Sequence, residues 1–192
     1  MSDAIAGPDG RLRCPWGLST ADYIAYHDTE WGVSVHGDDR LYERLTLEAF
    51  QSGLSWLTIL RKRESFRAAF ANFSIPAVAA FSDDDTVRLL ADPGIVRNRA
   101  KVAAALNNAR AAAELGPGGL DELLWSFAPT GKRKRPATLA DVPATTPEST
   151  AMAKNLKKRG FVFVGPTTAY ALMQATGMVD DHLVGCVAPL KA

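Results

Sequence analysis

An all-α fold is what this sequence predicts, on three observations. Apolar residues recur at helical spacing over most of the chain, Gly- and Pro-containing stops separate those stretches, and strand-like runs such as Phe161-Val162-Phe163-Val164 are few and short. With 192 residues and a 47% hydrophobic share, the chain can bury a substantial core. A net charge of +1 means that any surface for nucleic acid must come from local clustering. The opening MSDAIAGPDGRLR is polar and no long apolar run follows, so a cytoplasmic protein without a membrane partner is expected. Cys14 and Cys186 stand at opposite ends of the chain, and in a reducing cytosol they read as inert thiols or metal ligands rather than a disulfide.

Residues 1–12 are expected to form a flexible tail and 13–192 one folded domain. Thr20 can cap a short helix, ADYIAYHDTEW, in which Tyr23 and His27 share a face with Tyr26 beside them; Gly32 ends it. GVSVHGDD reads as a loop in which His36 is exposed without a partner. From Leu41 to Phe70, two helices flank a break at Ser52-Gly53-Leu54, and ANFSIP follows as a turn. Ser82 with Asp85 opens a capped helix through Leu90. After the tight turn Asp92-Pro93-Gly94, an Ala-rich helix runs from Arg97 to Leu115 and stops at Gly116-Pro117-Gly118-Gly119. A short helix covers Leu120–Phe127, and Lys132–Pro147 is a basic, then Pro/Thr-rich connector. Glu148–Arg159 reads as helix, and so does Pro166–Ala175, with Pro at its start and Gly177 past its end.

Leu41, Leu45 and Glu48 fall at i, i+4 and i+7, which puts a carboxylate on a core-facing stripe. An ionised Glu buried without partners is costly, so Glu48 needs a ligand, protein donors or a proton. Trp56 opens the next helix, Arg61, Lys62, Arg63 and Arg67 supply a basic rim, and Gly53 carries an exposed Leu54 between them. The plainer reading of the same residues is a structural Glu–Arg pair, a core tryptophan and a solvated basic face.

The turn at Asp92–Arg99 joins two helices as a helix–hairpin–helix. Gly94 would let the backbone approach a partner, and the free amides at the next helix start can hold a phosphate. Such hairpins grip DNA backbone without reading sequence, although an ordinary αα-turn has the same spacing. Cys14-x12-His27 with His182-x3-Cys186 offers four ligands of Cys2His2 type, a closed tetrahedral zinc set with no open position. Buried thiols and two unrelated histidines are the alternative, and spacing alone leaves both open.

RCPWG, YIAYHDTEWGV, LEAFQSGLSWLTILRKRESFRAAF, DPGIVRNRAKV, LWSF and KKRGFVFVGPTTAYALMQATGMVDDHLVGC are highly specific when taken together. Through them the chain, from Arg13 to Cys186, resembles the Tag family of bacterial 3-methyladenine DNA glycosylases I, within the helix–hairpin–helix glycosylase superfamily. The resemblance implies a helical fold with its hairpin at about 83–115 and a lobe clipped by zinc, built from 13–35 and 160–190. It implies a structural Zn2+ on Cys14, His27, His182 and Cys186. It also implies a base pocket with Glu48 as its catalytic residue and Tyr26 and Trp56 around it, with Trp16, Tyr23 and Trp31 as neighbours. Leu54 on Gly53 would fill the gap left by an extruded nucleotide, while Gly94, Ile95, Val96 and Arg97 hold DNA backbone. The implied partner is double-stranded DNA carrying 3-methyladenine, bound by a monomer. Strand cleavage is not expected, because Asn98 stands where related lyases carry a Schiff-base Lys, and Asp121 reads as an N-terminal helix charge. Ser34, where relatives often carry Pro, and the unusually basic connector are mild departures.

Overall fold

The computed structural model describes residues 2–131 and 133–188; Met1, Lys132 of the basic connector and 189–192 at the end of the expected domain lie outside it. Thr20 caps α1 (Ala21–Thr29) by accepting the Tyr23 amide, and α2 (Asp38–Gln51) begins after Gly37. Ser55 caps α3 (Trp56–Ala69) in the same way through the Thr58 amide. The turn expected at ANFSIP is instead a left-handed bend followed by a short α4 (Ile75–Ala79). Ala71, Asn72 and Phe73 hold φ of 49, 54 and 57°, a costly arrangement for residues with a Cβ. Burial of Phe73 offsets that cost: its ring stacks on Phe70 at 5.5 Å and meets the Tyr42 ring edge-on at 5.9 Å.

The capping box of Ser82 and Asp85 opens α5 (Asp83–Ala91) as expected. α6 (Arg99–Ala113) starts two residues later than its composition suggests, because the Asn98 side chain accepts the Lys101 amide and makes residue 98 the cap. α7 (Gly119–Trp125), α8 (Pro147–Lys158) and α9 (Pro166–Ala175) complete the helices. The all-α expectation holds, and α2 lies at the centre, packed against α3, α6, α7 and α9. Its Leu41, Tyr42, Leu45, Leu47 and Phe50 are wholly buried, each large apolar side chain contributing roughly 1.5–3 kcal/mol.

Three expectations need correction. The segment expected as a free tail pairs β1 (Ile5–Ala6) antiparallel with β2 (Leu12–Arg13), turned by Gly10 at φ 76°. Asp3 ties it to the connector, its amide donating to Ala137 and its carboxylate accepting from the Leu139 amide. His36, though exposed, is partnered: its Nδ1 lies 3.0 Å from Asp121 and its ring stacks on Trp125 at 4.4 Å. The basic rim is spent internally, since Arg61 pairs with Asp22, Arg63 with Glu30, and Arg67 with Glu43 and Glu64.

Candidate active site

The break after α2 and the ends of α1 and α9 leave a cavity of about 260 Å³. All six residues expected around a base line it: Glu48, Tyr26 and Trp56, with Trp16, Tyr23 and Trp31. Trp16 meets Trp31 and Tyr23 edge to face, at 4.9 and 5.8 Å, and Tyr26 lies tilted at 44° against Trp56 at 5.4 Å. Tyr23 also turns its hydroxyl to accept the Leu57 amide at 3.0 Å, fixing the first turn of α3 against this wall. Three larger clefts, of about 610, 550 and 320 Å³, lie elsewhere, but none brings a buried ionisable side chain to its wall.

Glu48 is only 7% exposed, and among the described residues no protein group donates to it. Loss of hydration pushes its carboxyl up to about 8, with the charge of Arg44, one helical turn away, pulling the other way. Arg44 itself is held by Glu30, which also takes both guanidinium nitrogens of Arg63. Burial, and next the nearby Glu48 carboxyl, hold the Tyr26 phenol well above its usual range, so it stays protonated. Trp56 Nε1 is buried with no hydrogen-bond partner among the described residues, an uncommon condition.

Gly53 adopts φ 79°, which an L side chain rarely takes, and so lifts Leu54 to 41% exposure at the rim of the break. The hairpin between α5 and α6 faces the same side through two lysines. Lys62 on α3 donates to the Pro93 and Gly94 carbonyls at 2.9 and 3.2 Å. Lys101 on α6 is 8% exposed and donates to the Phe50 carbonyl at 2.8 Å and to the Ser52 carbonyl, capping the end of α2. The chain turns tightly over Asp92–Ile95, and among the described residues the amides of Val96 and Arg97 meet no acceptor. Gly94 also has an internal role. A Cβ there would lie 2.9 Å from Asp92 Oδ1 and 3.0 Å from Ser65 Cβ, so the glycine seats the hairpin on α3. Ile95 is likewise anchored in the core by its side chain, so it has only its backbone to offer.

Cys14, His27, His182 and Cys186 are all buried, with one ligand atom from each within 4.8 Å of the others. Cys186 Sγ lies 3.4 Å from His27 Nε2 and 3.8 Å from His182 Nδ1, and Cys14 Sγ lies 3.9 Å from His182 Nδ1. Tetrahedral bonds of about 2.3 Å to sulfur and 2.0 Å to nitrogen give S···N edges of about 3.5 Å, against 3.4, 3.8 and 3.9 Å here, so the set could hold a metal ion. The outward nitrogens are also committed: His27 Nδ1 to Asp28 at 2.8 Å and His182 Nε2 to the Trp31 carbonyl at 3.0 Å. Arg13, buried at 2%, secures Asp28 in turn.

A methyladenine glycosylase family model matches residues 16–189. The chain belongs to that family. It is similar to the DNA-3-methyladenine glycosylase 1 of Escherichia coli K12, with 46% identity over 177 residues, 91% of this chain and 95% of that protein. Among solved structures, 3-methyladenine DNA glycosylase I (TAG) superposes with a TM-score of 0.88 at 44% identity, covering 93% of this chain and all of that one. A tyrosine-to-phenylalanine variant of 3-methyladenine DNA glycosylase I in complex with 3-methyladenine superposes with a TM-score of 0.84 at 35% identity, covering 91% and 96%.

Within this methyladenine glycosylase, sequence reasoning found the aromatic wall but not the rest of it. Gln51, Ala171 and Gln174 also line the cavity. Gln51 lies three residues beyond Glu48, close to the same helical face, so its position was available from periodicity. Ala171 and Gln174 arrive on α9, and Lys101 reaches α2 from a hairpin far along the chain; no local signal marks them.

Proposed function

We infer that this chain is a monofunctional DNA-3-methyladenine glycosylase I, which hydrolyses the N-glycosidic bond of 3-methyladenine in alkylated DNA and so initiates base excision repair. The observation that carries this reading is Glu48: a buried carboxyl without a protein donor among the described residues, in an aromatic cavity large enough to admit a base. The target bond lies inside the duplex stack, so the nucleotide must be extruded at a cost of a few kcal/mol. Leu54 fills the gap it leaves, and the Val96 and Arg97 amides hold a backbone phosphate. N3-alkylation makes the base cationic, so it stacks favourably on Trp56 and Tyr26. Its arrival also favours the ionised form of Glu48, whose oxygens accept from the base edge.

The C1′–N9 bond then breaks, its electron pair neutralising the base. A water oxygen bonds C1′ and gives its proton to solvent. Such a leaving group needs little acid assistance, so positioning is the main task of the protein. Asn98 is committed to capping α6 and cannot form an imine, so the strand remains intact. Asp121 is likewise engaged, by His36 and the Gly37 amide.

Incubation with methylated duplex is expected to release free 3-methyladenine, leave an uncleaved abasic strand and give no borohydride-trapped adduct. No release of base, or a trapped covalent complex, overturns the reading. For the Cys14, His27, His182, Cys186 set we propose a structural Zn2+, supported by the donor chemistry and the closed geometry. A monomer in the cytoplasm is the setting that accompanies this reading. Among the described residues, no helix is long and apolar enough to cross a membrane.

A further inference from the structure

Gln174 lines the cavity opposite the α2 wall, and a buried network determines which end of its amide faces the base. Its Nε2 donates to Asp181 Oδ2 at 2.9 Å, and the Tyr170 hydroxyl donates to the same oxygen. Asp181 is 5% exposed and Tyr170 2%, so the carboxylate is held rigidly, with Arg133 also reaching the Tyr170 hydroxyl. A carboxylate only accepts, so the amide must present nitrogen to it and cannot flip without losing that bond. The carbonyl oxygen is thereby left as the free end of the side chain. It accepts from no group among the described residues.

We propose that Gln174, pinned by Asp181, offers its carbonyl oxygen to the exocyclic amine of the extruded base and is a specificity-determining residue. The proposal rests on the cavity being the base pocket. Two acceptors then line the cavity, the Glu48 carboxyl and the Gln174 carbonyl, and together they select a purine edge that carries a donor. Adenine presents an amine at its six-position where guanine presents an oxygen. An acceptor on the protein gains a hydrogen bond from the first and faces a repelling lone pair from the second. The cavity therefore takes cationic purines bearing a six-amino group and disfavours six-oxo purines.

Binding of free 3-methyladenine and of 3-methylpurine, which lacks the amine, tests this through quenching of the tryptophans in the wall. Wild-type protein should prefer 3-methyladenine by roughly tenfold, the scale of one hydrogen bond. Gln174→Met, similar in length but with no amide, should shrink that preference several-fold by weakening 3-methyladenine alone, while the lost bond to Asp181 lowers the melting temperature. Gln174→Ala repeats the test should the longer side chain disturb packing. Equal weakening of both bases would assign Gln174 a merely structural role, and a preference undiminished in both variants would remove it from recognition. Failure of the wild-type protein to bind 3-methyladenine at all would overturn the base-pocket reading along with this one.

Discussion

Glu48 occupies a place where ionisation is unfavourable until a cation arrives, and this has consequences of opposite sign for stability and activity. Its carboxyl, ordinarily at 4.5, is raised to about 8 by burial, so the folded protein binds more protons than the unfolded chain between those values. Stability contributed by this group is full below 4.5 and is lost as pH rises through about 8. Glu48→Gln removes that loss. The variant should melt like wild type at pH 5 and above it at pH 9, by up to a few kcal/mol in stability. Its kcat/KM on methylated duplex should fall about ten- to hundredfold at pH 8, the scale of a hydrogen bond to a charged group. For wild type, kcat/KM reports the free enzyme, so its profile should rise with pH to a midpoint near 8, and the rise should vanish in the variant. A flat wild-type profile, or equal activity, would remove the carboxylate from recognition.

At the scale of elements, the Leu54 loop and the hairpin are joined by lysines rather than by apolar packing alone. Lys101 gives its ammonium to the carbonyls that end α2, and Lys62 gives its own to the hairpin carbonyls. The expected result for Lys101→Met is a loop that no longer holds Leu54 in place. Excision from duplex should drop several-fold, while affinity for free 3-methyladenine, which needs no wedge, stays within about twofold. Parallel loss of both would instead mean that the whole cavity had collapsed. Gly94→Ala should lower the melting temperature as well as duplex affinity, because its Cβ presses on Ser65 and Asp92 before any DNA is present. These ties also show where sequence reading stops. The caps Thr20 and Ser82 were legible because each bonds an amide three residues away, whereas Ser55 emerged only from the structure. Glu48 was legible through the periodicity of α2, and the aromatic wall through the family motifs. Arg61, Arg63 and Arg67 read as a basic rim because nothing local marks Asp22, Glu30 and Glu43 as their partners. The partners of Lys101 lie 51 and 49 residues away, beyond any local pattern.

For the whole molecule, the decisive contact is between chain ends. Cys14 and His27 come from one end and His182 and Cys186 from the other, yet all four converge in a buried cluster. The cluster shares its walls with the base cavity. Trp16 packs against His27 at 5.2 Å, Trp31 against His182 at 4.6 Å, and the Trp31 carbonyl accepts from the same histidine. Both tryptophans line the cavity, so loss of the proposed zinc should reach recognition before it unfolds the chain. Metal analysis should find one zinc per chain in native protein. Chelation, or Cys186→Ser, should lower the melting temperature and shift tryptophan fluorescence. At temperatures where the helices remain intact by circular dichroism, affinity for 3-methyladenine should already be reduced, by about tenfold if one aromatic contact is lost. Folded protein lacking zinc that binds the base at full affinity would show that the clip holds the ends of the chain and nothing more. Restoration of both fluorescence and affinity by added zinc is the result expected if Trp16 and Trp31 are held in position through the metal lobe.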